Sequence, residues 1–142
     1  MAFAELGRVA LVVDDIDAVA KSLKDVLEID LNILDAKGLG IKAGVGNNGV
    51  ELVQQVAESR IAQYWRKPLA ALVVYVENAE EANRRMEAAG FKVVQTATAA
   101  GGLKEYFYGA NFHGIPMVLH ETSGDLLHDI GEGAETKFEW RD

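Results

Sequence analysis

Two stretches, Arg8-Val9-Ala10-Leu11-Val12-Val13 and Leu69-Ala70-Ala71-Leu72-Val73-Val74-Tyr75-Val76, are nearly unbroken apolar runs of strand length. Runs of this kind predict buried strands. Each is followed by a pair that offers a helix N-cap, Asp14-Asp15 after the first and Glu77-Asn78 after the second. Behind the first pair, Ile16, Val19, Ala20, Leu23, Val26 and Leu27 recur at helical spacing. Behind the second, residues 79–89 read as a helix closed by Gly90. Three shorter strands are predicted after each helix, over 31–34, 38–45 and 50–55 in the first half and over 91–97, 103–108 and 115–121 in the second.

The order strand, helix, three strands therefore occurs twice, at a spacing of about sixty residues. The division is a first unit over 1–56, a connector over 57–68, a second unit over 69–121 and an acidic extension over 122–142, all in one compact domain. Two such units each present an open sheet, so they are expected to pair around a cleft. In the connector, residues 58–67 predict a short helix stopped by Pro68. The extension is expected to pack loosely, with Phe138 and Trp140 as apolar anchors and a partner subunit as a place to dock.

Composition narrows the function classes. With 49% hydrophobic and 25% charged residues the chain has a globular composition, and a net charge of −8 disfavours nucleic acid. The absence of cysteine excludes disulfides, thiolate metal sites and cysteine nucleophiles. The first residues lack signal-peptide character and no apolar run reaches membrane-spanning length, so the expectation is a cytoplasmic protein without a membrane partner. Glycines at 38, 40, 44, 46 and 49 do not make a phosphate loop, since no Gly-Lys-Ser/Thr and no helix start follows them.

The candidate chemistry starts at Asn47-Asn48-Gly49-Val50-Glu51-Leu52-Val53-Gln54-Gln55, a turn feeding a strand. Glu51 shares a face with Val53 on this apolar strand, and a buried carboxylate needs a charge partner, a metal or several donors. The doubled pattern, with Gly-Arg-Val-Ala-Leu-Val-Val-Asp-Asp-Ile-Asp, Gly-Val-Glu-Leu-Val-Gln, Tyr-Val-Glu-Asn-Ala-Glu-Glu-Ala and Asn-Phe-His-Gly-Ile-Pro-Met-Val-Leu-His-Glu, resembles the vicinal oxygen chelate superfamily. That superfamily includes glyoxalase I, methylmalonyl-CoA epimerase, extradiol dioxygenases and bleomycin resistance proteins. The connector is similar to that of the epimerase branch. The resemblance implies an α+β fold of two tandem βαβββ units whose curved mixed sheets form a cleft, in a homodimer.

It also implies four metal-ligand positions, on the first and last strand of each unit. These fall on Arg8, Glu51, Ala71 and Val118, a set that cannot hold a divalent ion. No metal and no other cofactor is therefore expected. In place of the ion, the Arg8 guanidinium can pair with Glu51. One reading makes this a structural ion pair; the other makes Glu51 a proton-transfer base and Arg8 the cation that serves the substrate. Tyr75, Tyr106, Tyr108 and His120 are the candidate ligand-binding residues, with either the pair Tyr106 and Tyr108 or the pair Glu105 and Phe107 facing the cleft. The ligand is expected to be a small organic acid, a thioester or an aromatic metabolite. The two function classes are a metal-independent isomerase, epimerase or lyase, and a non-catalytic protein that binds or sequesters a small molecule.

Overall fold

The computed structural model describes residues 3–36, 38–99, 101–123, 125–130 and 136–141. The first apolar run becomes β1 (Ala4–Val12), and Asp15 caps the following helix α1 (Ile16–Leu27) by accepting from the Ala18 amide. Three strands follow: β2 (Asn32–Ala36), β3 (Ile41–Val45) and β4 (Val50–Gln55). The second unit repeats this with β5 (Leu69–Val76), α2 (Ala79–Ala88) capped by Asn78, β6 (Gln95–Ala99), β7 (Lys104–Phe107) and β8 (Met117–Glu121). Both helices are also held by the last strand of their own unit. Gln54 on β4 accepts from the Ile16 amide at 2.8 Å, and Glu121 on β8 accepts from the Ala79 amide at 2.9 Å. A side-chain oxygen at a helix N-terminus satisfies an otherwise orphaned donor, and a carboxylate there also complements the helix dipole.

The chain is an α+β protein with one mixed sheet. Its strand order is β2-β3-β4-β1-β5-β8-β7-β6, extended at the far end by β9 (Thr136–Trp140). Within each unit the first strand runs parallel to the last, β1 to β4 and β5 to β8. The two units meet where β1 and β5 pair antiparallel, so the two halves of one chain form a single curved sheet with a cleft. One face of the second half carries α2 over a core built on Val76, Ala82, Tyr108 and Leu119. The cleft face carries a separate core that includes Ala10, Ile41, Val53 and Leu103.

Several boundaries move. The helix expected over 58–67 contracts to one 3-10 turn, Ile61–Tyr64. The strand expected from residue 91 begins at Gln95. The larger correction concerns the extension after Glu121, which is packed on its own chain. It forms α3 (Leu126–Ile130) and then β9, which pairs antiparallel with β6. Asn47 latches α3, donating to Asp125 and accepting from the Leu126 amide, while Leu126 is buried and Phe138 packs on the cleft core. An unpaired β6 would present a row of bare backbone groups, and β9 removes that edge.

Candidate active site

Strand registers set the geometry. Glu51 lies opposite Ala10 on β1, Val118 lies opposite Val73 on β5, and across the seam Arg8 meets Val73 while Ala10 meets Ala71. Arg8, Glu51, Ala71 and Val118 thus converge on one wall of the cleft, related by the internal repeat. Gly7 helps to aim Arg8. The register of β1 against β5 shifts between Leu6 and Arg8, and the Tyr75 ring lies so close to Gly7 that a Cβ there would stand 2.2 Å from it.

Arg8 is 7% exposed, and each of its guanidinium nitrogens is engaged. Nε donates to Glu51 Oε1 at 2.5 Å, Nη2 donates to Glu105 Oε2 at 3.1 Å, and Nη1 lies 3.0 Å from His120 Nδ1. The same Nδ1 is 2.9 Å from Glu105 Oε2. A ring nitrogen accepts or donates but does not do both, so His120 serves either Arg8 or Glu105 at any moment. On the far side of the ring, Nε2 lies 3.4 Å from Asp129 Oδ2 of α3. Asp129 is fixed in turn by the Thr122 hydroxyl and the Ser123 amide.

The electrostatics follow from burial against charge. Burial works against the guanidinium, but Glu51 and Glu105 outweigh it and raise Arg8 above its ordinary value. Burial likewise opposes ionisation of Glu105, yet the His120 hydrogen bond and charge, together with Arg8, bring its carboxyl down to about 2. At Asp129 burial is again overcome, here by hydrogen bonds from Ser123, Thr122 and His120, and its value is lowered.

Above this floor is a cavity of about 110 Å³ with a largely apolar wall that includes Leu39, Ile41, Val53, Trp65, Phe107 and Phe138. Arg8, Glu51 and Glu105 are its charged lining residues, and Gln95 is also in the wall. The inward pair on β7 is Glu105 and Phe107. Tyr106 and Tyr108 lie on the opposite face: Tyr106 packs into the core beneath α2, and Tyr108, fully buried, donates to Asn83 Oδ1 of α2 at 2.6 Å. Burial pushes the Tyr108 phenol up, with Glu87 adding to the effect. Neither tyrosine reaches the cavity, because strand parity that sends Glu105 inward sends its neighbours outward. Tyr75 and His120 stand behind the floor with ring centroids 5.1 Å apart, and Arg8 lies 6.0 Å from the Tyr75 centroid.

Residues 5–115 match the family model described as Glyoxalase/Bleomycin resistance protein/Dioxygenase superfamily. The chain belongs to this superfamily. Among solved structures, methylmalonyl-CoA epimerase from Mycobacterium tuberculosis superposes with a TM-score of 0.70 at 21% identity, covering 83% of this chain and 87% of that one. A variant of Streptomyces coelicolor methylmalonyl-CoA epimerase in complex with 2-nitronate-propionyl-CoA gives 0.70 at 10% identity, covering 86% and 96%. A hypothetical protein from Bacillus halodurans gives 0.69 at 19% identity, covering 84% and 95%. At these identities the likeness establishes the fold. No curated protein matches the sequence.

The superfamily's metal-ligand positions do not fit a divalent ion in this member. Ala71 and Val118 bring no donor, and the cationic guanidinium of Arg8 is hydrogen-bonded between the two carboxylates. No cluster of three or more His, Asp or Glu suited to a metal occurs among the described residues. Among them, too, no helix is long and apolar enough to cross a membrane.

Gln95, Asp129 and Phe138 join the site without having been singled out for it from the sequence, and Glu105 joins it as a member of one of the two pairs between which the sequence left the inward face of its strand open. Glu105 carried a usable signal, since its hairpin register places it opposite His120. Asp129 carried none, as its acidic neighbours make it look like a solvated tail residue.

Proposed function

We propose that this superfamily member binds a small carbonyl compound or thioester in the cleft and moves a proton at the carbon beside the carbonyl, without a divalent metal. Glu51 takes the proton. Arg8 holds the Glu51 carboxylate in place through Nε, and with its nitrogens engaged it offsets charge that develops on the ligand only through space, not by a hydrogen bond to it. Return of the proton by Glu51 to another atom of the ligand gives isomerisation; epimerisation takes a proton from water on the opposite face of the carbon, and Glu51 then gives its own proton back to water. The observation that carries this reading is the engagement of Glu51 through Oε1 alone: among the described residues its second carboxylate oxygen has no hydrogen-bond partner, and the residue lines the cavity.

The second reading, a binder that does no chemistry, is favoured by one feature. Nε and Nη2 of Arg8 are already held by Glu51 and Glu105, as in a structural ion pair, and Nη1 is met by His120 whenever Nδ1 is the acceptor. Exchange of α-protons for deuterium in short acyl thioesters and ketones, followed by NMR in D₂O, separates the two. On the enzymatic reading wild type accelerates exchange, and Glu51→Gln lowers the rate by about 100-fold or more while binding persists. Wild-type exchange no faster than the solvent rate, with ligand still bound, leaves the binder.

A further inference from the structure

Gln95 opens β6 and is 3% exposed, with its backbone pinned between Phe107 on β7 and Trp140 on β9. Its side chain is part of the cavity wall. Its Nε2 is the one fully buried side-chain nitrogen or oxygen among the described residues that has no hydrogen-bond partner. Folded chains leave few such donors unmet, because a buried N–H that has lost water and found no acceptor is costly. Nε2 is closed to water, so an acceptor that arrives with a ligand would meet it by a turn of the terminal amide about its last, broadly rotating side-chain bond.

The rest of the wall says which acceptor. Its charged residues are one guanidinium and two carboxylates, Arg8 against Glu51 and Glu105, so a ligand meets a net negative charge. Two guanidinium nitrogens are spent on those carboxylates, and the third faces His120 on the side away from the cavity. A ligand carboxylate placed here would face two like charges with no uncommitted cation. The remaining surface is apolar, and a volume of about 110 Å³ is somewhat smaller than the roughly 150 Å³ cavity that accommodates benzene.

We infer that the cavity is a subsite for the neutral acyl end of its ligand, a carbonyl oxygen accepting from Gln95 Nε2 and a short apolar chain filling the remainder, and that it rejects a free carboxylate. This rests on the proposed reading that the cleft binds a carbonyl compound, and it narrows that class from small organic acids to neutral ketones, amides and acyl thioesters.

The test titrates the intact chain with propionamide, propionate and propylamine, which are close in shape, following ¹⁵N and ¹H shifts of the Gln95 amide and the cavity residues. Propionamide should bind most tightly and move the Gln95 side-chain resonance. Gln95→Leu should weaken propionamide by about three- to tenfold, the range of one neutral hydrogen bond. The same variant should unfold in urea at an unchanged or higher midpoint, because it removes an unmet donor. Gln95→Met, which keeps the chain length, should behave alike.

Equal or tighter binding of propionate or propylamine overturns the inference. So does full retention of propionamide affinity in both variants, or a lower urea midpoint in both, which would reveal a structural partner for the amide. The outcome is separable from that of the proton-transfer reading. Binding through Gln95 with no exchange attributable to Glu51 removes the catalysis alone; Glu51-dependent exchange with no role for Gln95 removes the subsite alone.

Discussion

Replacing Arg8 by methionine keeps most of the apolar stem and deletes the charge. In wild type the guanidinium is buried and sits 2.5 Å from Glu51 and 3.1 Å from Glu105. At an effective dielectric near 20, two unit charges about 4 Å apart attract by about 4 kcal/mol, much of which is offset by desolvation of both partners. Removing one side alone leaves the carboxylates desolvated without that attraction, so the expected destabilisation is about 3–5 kcal/mol at pH 7.

Glu105 keeps His120 after this change, because Nδ1, released from Arg8, is free to serve the carboxylate. Glu51 has no such substitute and is the orphan. The double variant Arg8→Met/Glu51→Gln should therefore regain about 1–3 kcal/mol over the single one. Urea unfolding of wild type, both single variants and the double variant gives the coupling. A loss below about 1 kcal/mol for Arg8→Met, as at an exposed pair, or a double variant no more stable than Arg8→Met, would refute the account of Arg8 as the counter-charge of the floor.

The remaining expectations are simpler to test. Glu105 has a folded-state value of about 2 against an ordinary 4.5, so its contribution is fully present above pH ~4.5 and is lost as pH falls toward 2. That amounts to about 3 kcal/mol, and urea midpoints measured across this window should fall less steeply for Glu105→Gln than for wild type. Tyr108→Phe removes the hydrogen bond to Asn83 and should cost about 1 kcal/mol while leaving the affinity of cavity ligands unchanged; altered affinity would contradict its placement beneath α2. Phe138→Ala should cost about 1–3 kcal/mol and admit bulkier ligands, whereas unchanged ligand size selectivity would show that β9 does not shape the cavity.

The features legible in the sequence were those that local chemistry fixes. Asp15 and Asn78 cap the helices they introduce, whereas the pairing of Arg8 with Glu51 was legible only through the family resemblance, since strand parity sets the face of each residue but not which strands are neighbours. The face of β7 was not legible, and the reason is physical. Both sides of that strand are covered, one by α2 and the other by the cavity wall, so Tyr106 and Glu105 compete on equal terms in the sequence. Tyr106 and Tyr108 suggested a ligand pocket, but they fill the interface with α2, while Glu105 and Phe107 of the same strand face the cleft. The tail misled for a related reason. Its acidic composition suggests solvation, yet Asp125 is met by the Asn47 side-chain amide 78 residues earlier, and Asp129 turns back onto His120 only because α3 folds over the end of β8, a tertiary contact that composition does not show.

The polar floor also has a history in time. Arg8 is 43 residues from Glu51 along the chain, 97 from Glu105 and 112 from His120. During synthesis the guanidinium precedes its partners and stays hydrated until β4, β7 and β8 have followed it. Closing such long loops carries an entropic penalty that only a largely assembled sheet can offset. The cluster is therefore set late, as a lock on a sheet already paired, and substitutions within it should act mainly by hastening unfolding, with little effect on the rate of folding.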